Sequence, residues 1–173
     1  MGVSVKVSFL GAPAVGKSTL IKLLSGQTPI PLDYKPTIGL DFGSLQFGEH
    51  EVKLWDIGGQ QAFQPFWNSY LNGSYLICVV TDSSPQNVLQ TKQLINWVNR
   101  TQKNARVVAL ANKQDIEGHL TAKRVENILQ VPTYAVTAVD PQQREKLYYI
   151  LVKELLKATE NGEEANGDNI KSS

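Results

Sequence analysis

Short apolar runs alternate along the chain with segments whose apolar residues recur every three or four positions. Runs of the first kind are typical of buried strands and segments of the second kind of amphipathic helices, so the alternation predicts an α/β fold. Strands are predicted over residues 3–10, 41–47, 51–57, 74–80, 106–111 and 133–137. Because only three residues, 48–50, join the second strand to the third, these two are expected to form an antiparallel hairpin. We therefore expect a mostly parallel six-stranded sheet with helices on both faces.

The predicted helices lie between these strands. One covers residues 17–25, and another covers 88–98, where apolar residues recur at helical spacing. Thr121 is the expected N-cap of a third helix, which ends at Leu129. Asp140 and Pro141 are typical of the start of a last helix, as N-cap and first helical residue. That helix is expected to place these residues in the core: Leu147, Ile150, Leu151, Leu155 and Leu156.

Length, charge and cysteine content limit the classes of protein. A chain of 173 residues suits one domain with a single core. The net charge of +1 offers no basic surface, so we expect no nucleic-acid partner. The single cysteine, Cys78, lies in an apolar strand and cannot form an intramolecular disulfide, which favours a reducing cytoplasm. The sequence becomes polar from Ala158 onward, so we expect a domain over residues 1–158 and a disordered tail over 159–173.

Nothing in the sequence predicts direct attachment to a membrane. No apolar run is long enough to span a bilayer. Gly2 follows Met1 as in a myristoylation signal, but Lys6 stands where that signal requires Ser or Thr. The tail has no cysteine for prenylation. We therefore expect no direct lipid anchor, and recruitment to membranes, where it occurs, through protein partners.

A phosphate-binding motif follows the first predicted strand. The segment GAPAVGKS has the spacing GxxxxGK[ST] and lies between a strand and a helix, as a P-loop requires. Its backbone N–H groups and the helix N-terminus are suited to phosphate oxygens, Lys17 to the β- and γ-phosphates, and the Ser18 hydroxyl to Mg²⁺. The sequence therefore predicts a P-loop NTPase fold. The predicted phosphate-binding residues are Gly11, Ala12, Pro13, Ala14, Val15, Gly16, Lys17, Ser18 and Thr19.

A second motif, NKQD, follows the fifth predicted strand and indicates which base is bound. The carboxylate of Asp115 can accept hydrogen bonds from N1–H of guanine and from the exocyclic amino group beside it. Adenine instead has a lone pair at N1 and no such amino group beside it. Asn112 and Lys113 are expected to brace this loop and cover the base. Thr137 and Ala138 follow the last strand, and the N–H of Ala138 is expected to meet guanine O6.

Two further segments lie between the P-loop helix and the fourth strand. We call residues 34–39, YKPTIG, the first switch and residues 55–60, WDIGGQ, the second switch. With these segments the sequence resembles the Ras superfamily of small GTPases. WDIGGQ together with NKQD makes it most similar to the Arf/Arl/Sar branch, over about residues 3–157.

The resemblance implies roles for the switch residues. Thr37 would close over Mg²⁺ and the γ-phosphate of GTP, and Asp56 would hold Mg²⁺ through a water molecule. The N–H of Gly59 would bind the γ-phosphate, and Gln60 would orient the attacking water. Gln60, Thr37 and Lys17 are thus the expected catalytic residues, and Ser18, Thr37 and Asp56 the metal site.

The resemblance also implies partners. A molecular switch of this kind binds GTP and GDP, hydrolyses GTP slowly and recruits effectors in its GTP form, in trafficking or signalling. It relies on a nucleotide exchange factor and on a GTPase-activating protein that supplies an arginine in trans. Leu40, Trp55 and Tyr70 correspond to a hydrophobic trio that contacts effectors in Arf relatives; the alternative is plain packing in the core or the hairpin.

Two other functions remain open. Pro13 stands where Arf proteins usually carry an acidic residue, and it stiffens the loop beside the γ-phosphate. The alternative is therefore a GTP-bound scaffold with negligible hydrolysis. A P-loop kinase would need arginine-rich lid segments and an adenine site, but NKQD and only four arginines make this a poor match.

Overall fold

A computed structural model describes residues 2–27 and 35–167, with side chains described up to residue 161. Its centre is a six-stranded sheet in the order β2-β3-β1-β4-β5-β6. Only β2 and β3 pair antiparallel, and all other neighbours are parallel, which confirms the predicted fold class. The strands are β1 (Ser4–Leu10), β2 (Leu40–Phe47), β3 (His50–Ile57), β4 (Leu76–Thr81), β5 (Arg106–Ala111) and β6 (Thr133–Ala135).

Helices cover both faces of this sheet. They are α1 (Lys17–Leu24), α2 (Gln64–Leu71), α3 (Pro85–Thr101), α4 (Ala122–Leu129) and α5 (Arg144–Gly167). Helices α1 and α5 contact each other on one face, while α3 and α4 contact each other on the other. None of the described helices is both long enough and apolar enough to cross a membrane.

The central strands are apolar because both of their faces are covered. All six residues of β4 are buried, including Cys78, as expected for a strand between two layers of helices. Strand β2 lies at the edge of the sheet and is mostly exposed. The core is therefore two apolar layers, one on each side of β1, β4 and β5.

The helix starts agree with the predicted caps, with one difference. The Thr121 hydroxyl accepts a hydrogen bond from the Arg124 N–H at 3.4 Å, which confirms it as the N-cap of α4. Asp140 instead caps a short 3-10 turn, Pro141–Gln143, and α5 begins after that turn at Arg144. The prediction that Leu156 of α5 lies in the core is wrong, because 53% of its surface is exposed.

Two stretches of helix were not predicted. Helix α2 has only two turns, and no strong cap precedes it. Helix α5 continues to Gly167, whereas the predicted tail begins at residue 159. No proline interrupts this continuation, which passes through residues of low helix propensity such as Asn161 and Gly162. The last residues of the predicted tail, 168–173, lie outside the described part of the chain, as does Tyr34 of the first switch.

Candidate nucleotide-binding site

The motif residues meet at one edge of the sheet. The P-loop follows β1, Asp56 lies near the end of β3, and the NKQD loop follows β5. Because these strands are parallel, their carboxyl ends lie at the same edge, where ligands of open α/β sheets bind. The sheet therefore gathers segments that are far apart in sequence.

The P-loop wraps its backbone around the lysine that follows it. Lys17 donates from Nζ to the carbonyl oxygens of Gly11 at 3.0 Å and Ala12 at 2.9 Å. The lysine is only 6% exposed, and this burial lowers its pKa to about 8, although the nearby Asp56 carboxylate acts in the opposite direction. Ala14 has a φ of 64°, a conformation that costs a non-glycine residue on the order of 1 kcal/mol. The loop is thus held in a strained, curled shape around a buried cation.

The three predicted metal ligands form one cluster. Thr37 Oγ1 lies 3.0 Å from Ser18 Oγ and 3.1 Å from Asp56 Oδ2, and the Ser18 hydroxyl also donates to Asp56 Oδ2. Burial raises the pKa of Asp56, while hydrogen bonds from Ser18 and Thr37 and the charge of Lys17 oppose that shift. Thr37 and Asp56 come from different switches, so the cluster joins both switches to the P-loop helix.

These ligands fit a magnesium ion. The second carboxylate oxygen, Asp56 Oδ1, is buried without a hydrogen-bond partner among the described residues. Mg²⁺ prefers oxygen ligands and keeps several waters, so two hydroxyls and one carboxylate beside a phosphate are a suitable set. No group of three or more His, Cys, Asp or Glu residues suited to a metal occurs in the described chain, so a metal here would depend on hydroxyl, water and phosphate oxygens.

The NKQD loop is tied to the P-loop. Asn112 donates from Nδ2 to the Val15 carbonyl oxygen at 2.9 Å, and Lys113 donates from Nζ to the Ala14 carbonyl oxygen at 2.8 Å. Both side chains thus brace the two loops against each other. The N–H of Ala138 donates to Asn112 Oδ1 at 2.9 Å. For that N–H to meet guanine O6, as predicted, the base oxygen would have to replace the Asn112 oxygen.

Ser83 and Gln114 support this loop and were not predicted. The Ser83 hydroxyl donates to the Asn112 carbonyl oxygen at 2.6 Å, and Gln114 donates from Nε2 to Ser83 Oγ at 2.8 Å and to the Leu120 carbonyl oxygen at 3.0 Å. Ser83 is fully buried at the end of β4. The polar run that follows this apolar strand was the only sequence signal for it.

The second switch lies directly on the P-loop. A Cβ atom on Gly59 would lie 2.2 Å from the Gly11 carbonyl oxygen, so only glycine fits there. Gly58 donates from its N–H to the Gly39 carbonyl oxygen at 2.8 Å, and its own carbonyl accepts from Trp67 Nε1 at 3.0 Å. Trp67 of α2 was not predicted as a site residue, yet it anchors the glycine pair. Gln60 Oε1 is buried without a hydrogen-bond partner among the described residues.

These loops enclose a cleft of about 970 Å³, counting the space open to solvent at its mouth. The predicted residues that line it are Pro13, Ala14, Gly16, Lys17, Ser18, Thr19, Thr37, Gly59, Gln60, Asn112, Lys113, Asp115 and Ala138. The predicted residues that do not line it are Gly11, Ala12, Val15, Asp56 and Thr137. Lys22, Lys35 and Val139 line the cleft without having been predicted.

Comparison with known proteins identifies the family. The model of the ADP-ribosylation factor family matches residues 2–156. This chain belongs to the ADP-ribosylation factor family. It is accordingly an Arf-like small GTPase with a P-loop and a guanine-nucleotide site.

Several Arf-like proteins are similar to this chain. ADP-ribosylation factor-like protein 3 of Chlamydomonas reinhardtii is 30% identical over 129 residues, which cover 73% of this chain and 72% of that protein. ADP-ribosylation factor-like protein 1 of Saccharomyces cerevisiae is 29% identical over 130 residues, covering 73% and 69%. ADP-ribosylation factor-like protein 2 of Drosophila melanogaster is 28% identical over 131 residues, with the same coverage of 73% and 69%.

The trio implied by the Arf resemblance lies beside exposed aromatic side chains. The Trp55 ring meets Phe42 edge to face, with centroids 5.0 Å apart, and the Tyr70 ring stacks on Phe66 at 6.0 Å. Lys6 joins the two pairs, because its ammonium group lies 3.5 Å from the centre of the Trp55 ring and donates to the Tyr70 carbonyl oxygen. Leu40 and Tyr70 are both partly buried and pack against the same core layer.

Proposed function

We propose that this Arf-like GTPase is a molecular switch that binds GTP and GDP with Mg²⁺ and hydrolyses GTP slowly. The observation that carries the proposal is the cluster of Ser18, Thr37 and Asp56, whose oxygens lie within hydrogen-bonding distance of one another. Such a cluster is suited to a metal that bridges the phosphates and both switches. Loss of the γ-phosphate would then release the first switch at Thr37.

The second switch is suited to sense the same phosphate. Gly59 lies against the P-loop backbone, and its N–H would bind the γ-phosphate. Gln60 lines the cleft and has a buried amide oxygen without a described partner, as expected of a side chain that orients a water molecule. Lys17 would place its positive charge beside the β- and γ-phosphates, where charge develops during the reaction.

Guanine specificity would come from Asp115. Its carboxylate lines the cleft beside Lys113 and Ala138, and it is the only carboxylate among the described lining residues. Two hydrogen bonds from a guanine edge to a carboxylate are charge-assisted, so their loss should cost about 2–4 kcal/mol of binding free energy.

The test is calorimetric binding of GDP and ADP in the presence of Mg²⁺. We expect the wild type to bind GDP far more tightly than ADP, and Asp115→Ala to lose most of its affinity for GDP. Glu117→Ala is the matched control, because Glu117 is an exposed acid two residues further along that does not line the cleft. Equal affinity of the wild type for GDP and ADP would refute guanine specificity.

The partners follow from the switch. In the GTP form, effectors would dock on Leu40, Trp55 and Tyr70 together with the switches. A GTPase-activating protein would supply an arginine, and an exchange factor would release GDP. The exposed aromatic rings of Phe42 and Phe66 beside the trio support a surface that binds other proteins.

One observation favours the alternative, a GTP-bound scaffold with negligible hydrolysis. Pro13 lines the cleft, and its nitrogen would lie 2.8 Å from a Cβ on Gly59. A residue without an N–H therefore stands where the P-loop meets the second switch. A single-turnover hydrolysis assay separates the switch from the scaffold.

A further inference from the structure

The cleft is lined by more positive charge than the sequence motifs account for. Four of its lining residues are lysines, and one, Asp115, is a carboxylate. Two of the lysines, Lys17 and Lys113, already donate hydrogen bonds to carbonyl oxygens of the P-loop. The ammonium groups of Lys22 and Lys35 make no hydrogen bond or ion pair with any residue in 2–27 or 35–161.

The positions of these two lysines place them near the predicted phosphate chain. Lys22 lies four residues after Ser18 on α1, and therefore on the same helix face, about 6 Å further along the axis. Lys35 lies two residues before Thr37, so its Cα is at most about 7 Å from that of Thr37. A lysine side chain spans a comparable distance, so both ammonium groups can reach an anion held between the P-loop and the first switch.

Two like charges in one cleft repel each other unless an anion lies between them. A bound anion offsets the repulsion between the two ammonium groups, and it does so more strongly when it carries more negative charge. A nucleoside triphosphate carries more charge than a diphosphate, and Lys35 belongs to the same segment as Thr37. The pair would therefore discriminate between the two nucleotides as well as add affinity.

We propose that Lys22 and Lys35 bind the phosphate chain of the guanine nucleotide from the side of α1 and the first switch, and thereby favour the triphosphate. The inference rests on the proposed function, since it takes the nucleotide to occupy this cleft. Neither lysine belongs to the P-loop or NKQD motifs, so both are nucleotide-binding residues that the motifs do not identify.

The experiment measures equilibrium binding of GDP and of GMP-PNP, a triphosphate analogue that is not hydrolysed, with Mg²⁺ present. Variants are Lys22→Gln, Lys35→Gln and the double variant. Each single substitution should weaken GMP-PNP binding about tenfold, a value between those of exposed ion pairs and of charge-assisted phosphate contacts. GDP binding should weaken less, so the ratio of GDP to GMP-PNP dissociation constants falls in the double variant.

Lys123→Gln is the matched control, because it removes the same charge from an exposed position on α4 outside the cleft. It should change neither dissociation constant by more than about twofold. Circular dichroism of each nucleotide-loaded variant checks that the fold is intact. Lys35→Arg keeps the charge and should retain most of the affinity that Lys35→Gln loses.

The outcomes separate this inference from the proposed function. If the wild type binds both nucleotides and the double variant behaves like Lys123→Gln, the inference is wrong and the proposed function stands. An equal loss of affinity for GDP and GMP-PNP would refute the preference for the triphosphate. A wild type that binds neither nucleotide would refute the proposed function, and this inference with it.

Discussion

At the scale of single residues, the buried P-loop lysine connects structure to pH dependence. Lys17 is held by two backbone carbonyl oxygens, and burial lowers its pKa to about 8. The ammonium form is the one that attracts phosphate. A bound phosphate chain favours that form, so the pKa of Lys17 should rise when nucleotide binds, and the protein should take up a proton above pH 8.

The affinity for nucleotide should therefore fall as the solution becomes alkaline. Between pH 7 and pH 8.5 we expect the dissociation constant for GDP with Mg²⁺ to rise about fourfold, because deprotonation of free Lys17 competes with binding. Calorimetry in two buffers of different ionisation enthalpy measures the accompanying proton uptake. Unchanged affinity at both pH values, with no proton uptake at pH 8.5, would contradict the prediction.

At the scale of secondary structure elements, one buried carboxylate attaches α5 to the sheet. The Glu154 side chain is fully buried and accepts hydrogen bonds from Arg106 of β5 and Tyr134 of β6. Burial acts to raise the pKa of Glu154, but the hydrogen bonds from Arg106 and Tyr134 and the charges of Arg106 and Lys157 outweigh it, so its pKa lies below the usual value. Its partners thus stabilise the charged form of this carboxylate against the effect of burial.

Removing the arginine should be costly. Arg106→Leu leaves a buried charge without its main partner, and we expect a loss of about 3–5 kcal/mol in the free energy of unfolding at pH 7, measured by urea denaturation. Since the pKa of Glu154 is lowered in the folded protein, its stabilising contribution is lost as the pH falls through that pKa. The difference between wild type and variant should accordingly shrink in acid.

Two further variants check the cause. The double variant Arg106→Leu, Glu154→Leu should recover much of the stability, because the unpaired charge has gone. Lys157→Gln should cost less than about 1 kcal/mol, since Lys157 is half exposed and lies 3.8 Å from Glu154. A double variant as unstable as Arg106→Leu alone would show that packing, and not charge, explains the loss.

Strand β5 and helix α2 show which elements could be predicted from the sequence and which could not. Strand β5 has the predicted bounds because its apolar run is continuous and ends at a polar motif. Helix α2 was missed because it has only two turns and because its Trp67 side chain bonds outside the helix, to the Gly58 carbonyl oxygen. The spacing of apolar residues along the chain cannot reveal such a contact.

The same distinction holds for the site. That the P-loop and the NKQD loop line one cleft could be predicted, because both motifs have a fixed spacing and each follows a strand of the parallel sheet. The roles of Ser83 and Trp67 could not be predicted, because these residues act through loops that only the fold brings together. Lys22 and Lys35 could not be predicted either, because α1 and the first switch face the same cleft only in the folded chain.

At the scale of the whole molecule, the proposed hydrolysis would require the P-loop, both switches and an arginine from a partner to act together. No arginine precedes Arg100 in the chain. Of the four arginines, Arg106 is bound to Glu154 and Arg144 to the end of α1, and none lines the cleft among the described residues. Lys35 adds a point charge, but lysine lacks the planar, bidentate fork of arginine. The chain by itself therefore offers no arginine finger.

The intrinsic rate of GTP hydrolysis should accordingly be slow, on the order of 10⁻⁴ to 10⁻³ s⁻¹ in a single-turnover assay, as in unassisted Ras-type enzymes. Gln60→Leu should slow it by about tenfold or more, because the attacking water loses its orienting amide. Purified protein that turns over near 1 s⁻¹ would contradict the need for an arginine in trans.

If wild-type hydrolysis is instead undetectable while GTP binding is tight, the protein is a scaffold. Pro13→Ala then tests the cause, since restored hydrolysis in that variant would assign the block to the proline at the junction of the P-loop and the second switch.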